Sequence, residues 1–287
     1  MIYYTYENKG LNLYEKNLKK IYKTIMIDEM RILPGNIAFF LILSIMPIIT
    51  LIGIIGSFFS LSMGDVITFI EELIPNDVST LLYPFLSSKT ESNHIMFMLV
   101  GIIVASNGPH AIILASNTLY GVENSDFVKR RIKSFFLTIL LMNLFFFILV
   151  FLAFGNIILK FILELEMFKN ISKNIYYLFA ILKWPVAFML IFIFVKILYT
   201  LAPDKKIKSK LVNRGASFTT VGWVLVTAIY SYYANNLANY NALYGSLSGI
   251  VVLMMWIYII SYIFVIGIII NTNEYKRLEE NTSNKLK

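Results

Sequence analysis

Cysteine is absent from this chain, and histidine occurs only as His94 and His110. No disulfide framework and no thiolate metal site can therefore exist. A catalytic metal held by three histidines is excluded as well. No Gly-rich run of the P-loop type is present, so ATP is not the expected energy source for this chain. Charge is also scarce. Charged residues make up 15% of the chain, against about 25% in typical soluble domains. From Gly215 to Asn273, 59 consecutive residues include no Lys, Arg, Asp, Glu or His. A soluble fold could hardly cover such a stretch with charged surface. It is too long for one membrane helix, which needs about 20 apolar residues, and long enough for two passes with a turn between them.

What is present is apolar: 58% of residues are hydrophobic and the mean hydropathy is +0.71. The composition predicts an all-α integral membrane protein. Its net charge of +8 reads as basic loops against a membrane rather than as a nucleic-acid surface. Met1 to Lys9 carry Glu7 and Lys9 and no apolar core, which is not the pattern of a secretory signal.

Apolar runs fall at about Asn36–Phe59, Ile95–Leu119, Phe135–Phe161, Ile175–Leu201, Gly215–Tyr233 and Ser246–Asn271. Each is long enough to cross as a helix, which predicts a bundle of six transmembrane helices. Basic residues alternate between the intervening segments. They are dense before the first run (Lys9, Lys16, Lys19, Lys20, Lys23, Arg31), at Lys129, Arg130, Arg131 and Lys133, at Lys205 to Arg214, and in the tail (Lys276, Arg277, Lys285, Lys287). They are sparse in the segments between. By the positive-inside rule both termini are cytoplasmic, as an even number of spans also requires. Three parts follow: a cytoplasmic amphipathic segment over residues 1–35, a six-span membrane domain over 36–273 and a cytoplasmic tail over 274–287. In the first part Leu11, Tyr14, Leu18, Ile21, Tyr22 and Ile25 recur at helical spacing among lysines, the pattern of an interfacial helix on anionic lipid. The segment Leu61–Asn93 is acidic, contains Pro75 and Pro84, and carries a short amphipathic stretch at Val66–Ile74.

One stretch is specific beyond composition. It runs Asn239-Tyr240-Asn241-Ala242-Leu243-Tyr244-Gly245-Ser246-Leu247-Ser248-Gly249, followed by Trp256-Ile257-Tyr258, Gly267 and Asn271. This closely resembles the carboxy-terminal signature of the YihY/BrkB family. Further matching pieces occur in the family's order. They are Ala38-Phe39-Phe40 with Ser44 and Pro47, Ala105-Ser106, Asn117-Thr118-Leu119-Tyr120-Gly121-Val122-Glu123, Lys129-Arg130-Arg131, Lys183-Trp184-Pro185 and Leu201-Ala202-Pro203. The resemblance covers about Arg31 to Glu274. It implies a six-span bacterial inner-membrane protein. Members of the family have been linked to serum resistance and proposed as transporters, and a ribonuclease label some once carried is a mistaken assignment. Two departures stand out. Ile269 occupies the place where relatives usually have a glutamate, and Asn107-Gly108-Pro109-His110 stands where a basic residue is expected.

The candidate substrate-path residues are Asn107, His110, Asn117, Lys183, Asn239, Asn241, Tyr244, Ser246 and Ser248. Lys183 reads either as a lysine snorkelling to the outer headgroups or as a cation facing a wet cavity. Lys196, nearer the inner end, reads as a snorkeller. Gly108-Pro109 interrupts helical hydrogen bonding beside His110, which predicts a packing kink or a discontinuous transport helix. The segment Asn239–Gly249 reads either as packing, with Gly245 and Gly249 allowing close helix approach and its tyrosines in an aromatic belt, or as the neutral mouth of a cavity. No cofactor is expected. An enzyme is not expected either, because no acidic pair lies inside an apolar run to hold catalytic metal ions. The expected partners are membrane lipids and a small polar or anionic solute, with no nucleic acid. Composition and motifs together point to a transporter or exporter of small polar or lipid-like solutes. The alternative is a non-transporting envelope protein that organises lipids or partner proteins.

Overall fold

The computed structural model describes residues 27–58, 94–149, 172–236, 240 and 244–285, and every regular element within them is helical. Helix α1 is Glu29–Phe58, α2 is His94–Ala105, α3 is Asn107–Tyr120, α4 is Phe127–Leu149, α5 is Ser172–Leu201, α6 is Asn213–Asn236 and α7 is Ser248–Lys285. Short 3₁₀ turns at Ser209–Val212 and Gly245–Leu247 introduce α6 and α7. Each of the six apolar runs carries helix. In a helix every backbone N–H and C=O in the middle of the segment is paired within it, which is what an apolar run requires wherever water is absent. Residues 1–26 of the N-terminal amphipathic segment, the segment 61–93, Asn239 and Asn241 lie outside the described residues, and α1 begins at Glu29, ahead of the boundary expected at residue 36. Among the described residues, two stretches are long and apolar enough to cross a membrane by length and composition. They are Trp184–Leu201 and Ser248–Glu279, with mean hydropathies of 2.1 and 2.5.

Local chemistry sets the ends. Helix α3 stops at Gly121, whose φ of +64° only glycine adopts without strain, and whose N–H turns back to the carbonyls of Asn117 and Thr118. Helix α5 runs through Pro185 and ends at Leu201, two residues before Pro203. Gly245, with φ +53°, makes the turn into α7, and nothing lies within 4 Å of where its Cβ would be. It therefore serves backbone conformation rather than the close helix packing expected from its spacing to Gly249. Helix α7 has 38 residues, so at about 1.5 Å per residue it is about 57 Å long and extends well past a hydrocarbon core of about 30 Å.

Helices α6 and α7 form the most extensive pair, and α1 packs against α7, α2 and α3. Side chains stitch α6 to α7 through backbone carbonyls. Trp223 Nε1 donates to Ile260 O at 2.8 Å, and Tyr230 Oη donates to Val252 O at 2.9 Å. Gly222 lies so close to α7 that a Cβ there would stand 2.8 Å from Ile263 Cγ2. The core centres on Tyr199, Phe264, Ile113, Leu137, Val195 and Ile268, all fully buried. The Phe264 ring lies 4.7 Å from Tyr199 and stacks at 5.9 Å on Trp223. The outward faces are apolar too. Phe39, Val100, Phe136, Trp184, Leu225 and Ile229 are all exposed. So broad an apolar exterior is a liability in water and the natural covering in lipid.

Candidate functional site

The second apolar run is built as two helices. Pro109 has no N–H to give to the carbonyl four residues back, at Ala105, and the helix breaks there, with Ser106 in a turn between α2 and α3. Side chains meet neighbouring groups around the break, including the carbonyls of Ile103 and Val104. Ser106 Oγ donates to Ile103 O at 2.7 Å. Arg131, from α4, donates through Nη2 to Ile103 O at 3.2 Å and through Nη1 to Asn107 Oδ1 at 2.9 Å. From the other side α1 comes close. Ser44 Oγ donates to Phe40 O at 2.7 Å and approaches Val104 O at 3.4 Å, while a Cβ on Gly108 would meet Leu41 Cδ2 at 3.1 Å. The break is thus stabilised by a serine of α1 and an arginine of α4.

Asp204, just past α5, ties three segments together. Its Oδ2 accepts from Asn117 Nδ2 at 2.8 Å, from Ser125 Oγ at 2.9 Å and from Ser125 N at 3.1 Å. Its own N–H donates to Asn117 Oδ1 at 2.8 Å. Asn117 Nδ2 also donates to Asn124 Oδ1 at 2.9 Å. Lys133 Nζ reaches Asp204 Oδ1 and the carbonyls of Ala202 and Pro203, each at 2.8 Å. Burial alone would raise the Asp204 carboxyl, but hydrogen bonds from Lys133, Asn117 and Ser125 together outweigh it and hold the pKa at about 2.

A second junction joins α5, α6 and α7. Tyr199 Oη donates to Phe264 O at 2.8 Å and shares a hydrogen bond of 2.6 Å with Thr219 Oγ1. Gly267 fits beneath both hydroxyls, and a Cβ there would collide with Tyr199 and Thr219. Asn271 Oδ1 accepts from Gly215 N at 2.8 Å and so caps one of the first-turn N–H groups of α6, which have no partner within their own helix. Gly215 has no room for a Cβ either, which would strike Gly267 O and Asn271. Ile269, in the position where an acid was expected from the resemblance, is buried in the main core cluster.

Between the helices lies a cavity of about 220 Å³. Every described helix contributes to its wall: Ile37 and Leu41 of α1, Ala105 of α2, Pro109 and Ile112 of α3, Thr138, Leu141 and Met142 of α4, Phe194 and Leu198 of α5, Trp223 of α6, and Ile260, Ser261 and Phe264 of α7. The lining is apolar apart from two hydroxyls. Thr138 Oγ1 is turned back to Ser134 O at 2.7 Å. Ser261 Oγ is buried without a hydrogen-bond partner.

Among those with described side chains, none of the candidate substrate-path residues lines this cavity, although Pro109, beside His110, does. Asn107 accepts from Arg131, and Asn117 is fully buried in the Asp204 junction. The His110 ring stands edge-on to Phe127 at 6.2 Å, and its buried Nδ1 has no partner. Tyr244 is half-exposed, 6.4 Å from the Tyr240 ring, and Ser248 is buried at the start of α7. Lys183 lies within α5 and Ser246 within the turn before α7; their side chains are outside the described set. Sequence reasoning did not single out Lys133 or Asp204. Lys133 was absorbed into the basic run that sets orientation, and the only pointer to Asp204 is its position directly after Leu201-Ala202-Pro203. Among the described residues no group of three or more His, Asp or Glu side chains could hold a metal ion.

Residues 21–287 match the family described as Virulence factor BrkB. The chain is 31% identical over 265 residues to YfkH of Bacillus subtilis (strain 168), named as a ribonuclease-like protein, across 91% of this chain and 95% of that one. It is 29% identical over 90 residues to a UPF0761 membrane protein of Idiomarina loihiensis, across 31% of this chain and 32% of the relative. No solved structure matches it.

Proposed function

The chain belongs to the Virulence factor BrkB family, and on that premise we propose that it is a six-span protein of the bacterial inner membrane, with both termini cytoplasmic, that moves lipid-like solutes across the bilayer. The observation that carries this reading is the cavity of about 220 Å³ at the meeting point of the described helices. Its walls offer dispersion contacts and almost no hydrogen bonds, which suits hydrocarbon better than a small polar solute. A polar or anionic cargo would instead have to follow Asn107, His110, Asn117, Lys183, Asn239, Asn241, Tyr244, Ser246 and Ser248, with Lys183 supplying charge.

The test is flux in liposomes holding the purified protein. Transfer of a fluorescent phospholipid between leaflets is expected to exceed that of protein-free vesicles. Leu141→Trp, which fills part of the cavity, is expected to slow it several-fold while thermal stability stays close to wild type. Movement of sugars or amino acids with no lipid transfer contradicts the proposal. A second reading, a static protein that organises lipids, is favoured by the Asp204 and Tyr199 junctions, which clamp helix ends together. It predicts no flux of either kind with lipid binding retained.

A further inference from the structure

The walls of the central cavity decide what can occupy it. The surface they turn to the space is wholly apolar. Thr138 Oγ1 is engaged with Ser134 O, and Ser261 Oγ is itself buried within the wall. A water molecule in such a place needs about two to four polar partners and finds none, so the cavity stays dry. Ions, sugars and lipid headgroups are excluded for the same reason, since each would lose its hydrogen bonds on entry. What remains is hydrocarbon, held by dispersion contacts with Ile37, Leu141, Met142, Phe194 and Phe264.

Size narrows the class further. A dry apolar cavity of about 150 Å³ takes one molecule of benzene. At about 220 Å³ this one takes roughly nine carbons by proportion. Two acyl chains side by side, or a fused-ring lipid, exceed that. A single alkyl chain fits with part of its length. A mid-chain stretch would have to double back, so the methyl end enters. The apolar exterior at Phe39, Val100, Phe136 and Leu225 sets the protein among such chains. We propose that the cavity binds the methyl end of one alkyl chain of a membrane lipid, with the headgroup left outside. This deepens the lipid-transport reading and rests on it for the role of the bound chain as cargo; occupancy itself is read without flux.

Magnetic resonance contacts between lipid and methionine methyls test the site. Met142 lines the cavity and is buried, whereas Met189 and Met254 are exposed on the exterior. The full-length protein, with carbon-13 methionine methyls, is placed in deuterated nanodiscs. Their phosphatidylcholine carries protons only at the chain-terminal methyls. Nuclear Overhauser cross-peaks from those methyls are expected at Met142 as well as at Met189 and Met254. Leu141→Trp, which fills part of the cavity, is expected to abolish the Met142 cross-peak and leave the other two. If Leu141→Trp does not fold, Ile112→Phe carries the same comparison. Cross-peaks at Met189 and Met254 with none at Met142 in wild type overturn the site. So does a Met142 cross-peak that survives in a folded filled variant. Phosphatidylcholine protonated only beside its ester groups is expected to give none at Met142; an equal one there overturns entry by the methyl end. A Met142 cross-peak from added octane, with none from the lipid, overturns a lipid chain as the occupant. Leaflet transfer without the Met142 cross-peak sinks this site alone. The cross-peak without transfer upholds the site and sinks the transport reading.

Discussion

Asp204 is a single carboxylate on which α3, the α3–α4 connection, α4 and the end of α5 converge. Its side chain is 10% exposed and that of Lys133 27%. Breaking a buried ion pair by removing one partner costs about 3–5 kcal/mol, and partial exposure reduces this. For Asp204→Ala we expect a loss of about 2–3 kcal/mol, read as a melting temperature in detergent lower by roughly 5–10 °C; a change within one degree would show that the junction adds nothing. The pH dependence has a definite sign. The folded pKa of about 2 lies below the ordinary 3.8, so the carboxylate's contribution is present above pH 3.8 and is lost as pH falls through about 2. The stability gap between wild type and Asp204→Asn should therefore narrow on acidification across that window. Asn117 could be read from the sequence as a hydrogen-bonding group within a motif. Its partner could not, because Asp204 is 87 residues away and only the packing of α3 against the end of α5 brings the two together. Ile269 was legible as a missing acid, and burial in the core gives the physical sense of the replacement: this position is dry and packed.

At the level of elements, hydropathy located the helices well, because long apolar runs leave the backbone few alternatives to helix. The break before α3 was also legible, since Pro109 cannot donate to Ala105. What stabilises the break was not, because Arg131 sits in a basic run whose chemistry also suits a solvated loop. Helix α7 runs on to Lys285, beyond the last apolar residues, because Glu274-Tyr275-Lys276-Arg277-Leu278-Glu279 contains several good helix formers. The pairing of α6 with α7 depends on Gly215, Gly222 and Gly267 being small and on Asn271 capping α6. Asn271→Ala removes that cap and is expected to cost about 1 kcal/mol. Hydrogen exchange should then speed up in the first turn of α6 and remain unchanged in its last turns. Uniform exchange along α6 in both proteins would mean that Asn271 is not its cap.

For the molecule as a whole, two features belong together: an exterior rich in exposed apolar side chains and an interior space lined by apolar ones. The exterior was implicit in composition, which counts apolar residues without saying which of them face outward. The cavity was not legible, because its lining comes from residues of seven helices whose sequence pattern is that of ordinary core. Polar residues drew attention in the sequence because they are rare, yet among those whose side chains are described, Asn107 and Asn117 are engaged in holding helices together. The most direct measurement uses a phospholipid with a photoactivatable group near the end of its acyl chain, reconstituted with the protein and cross-linked by light. Peptide mass spectrometry is expected to find adducts on the cavity wall, at Leu141, Met142 and Phe194. Adducts confined to outward-facing residues such as Phe136, Trp184 and Ile229 would contradict a lipid-accessible interior.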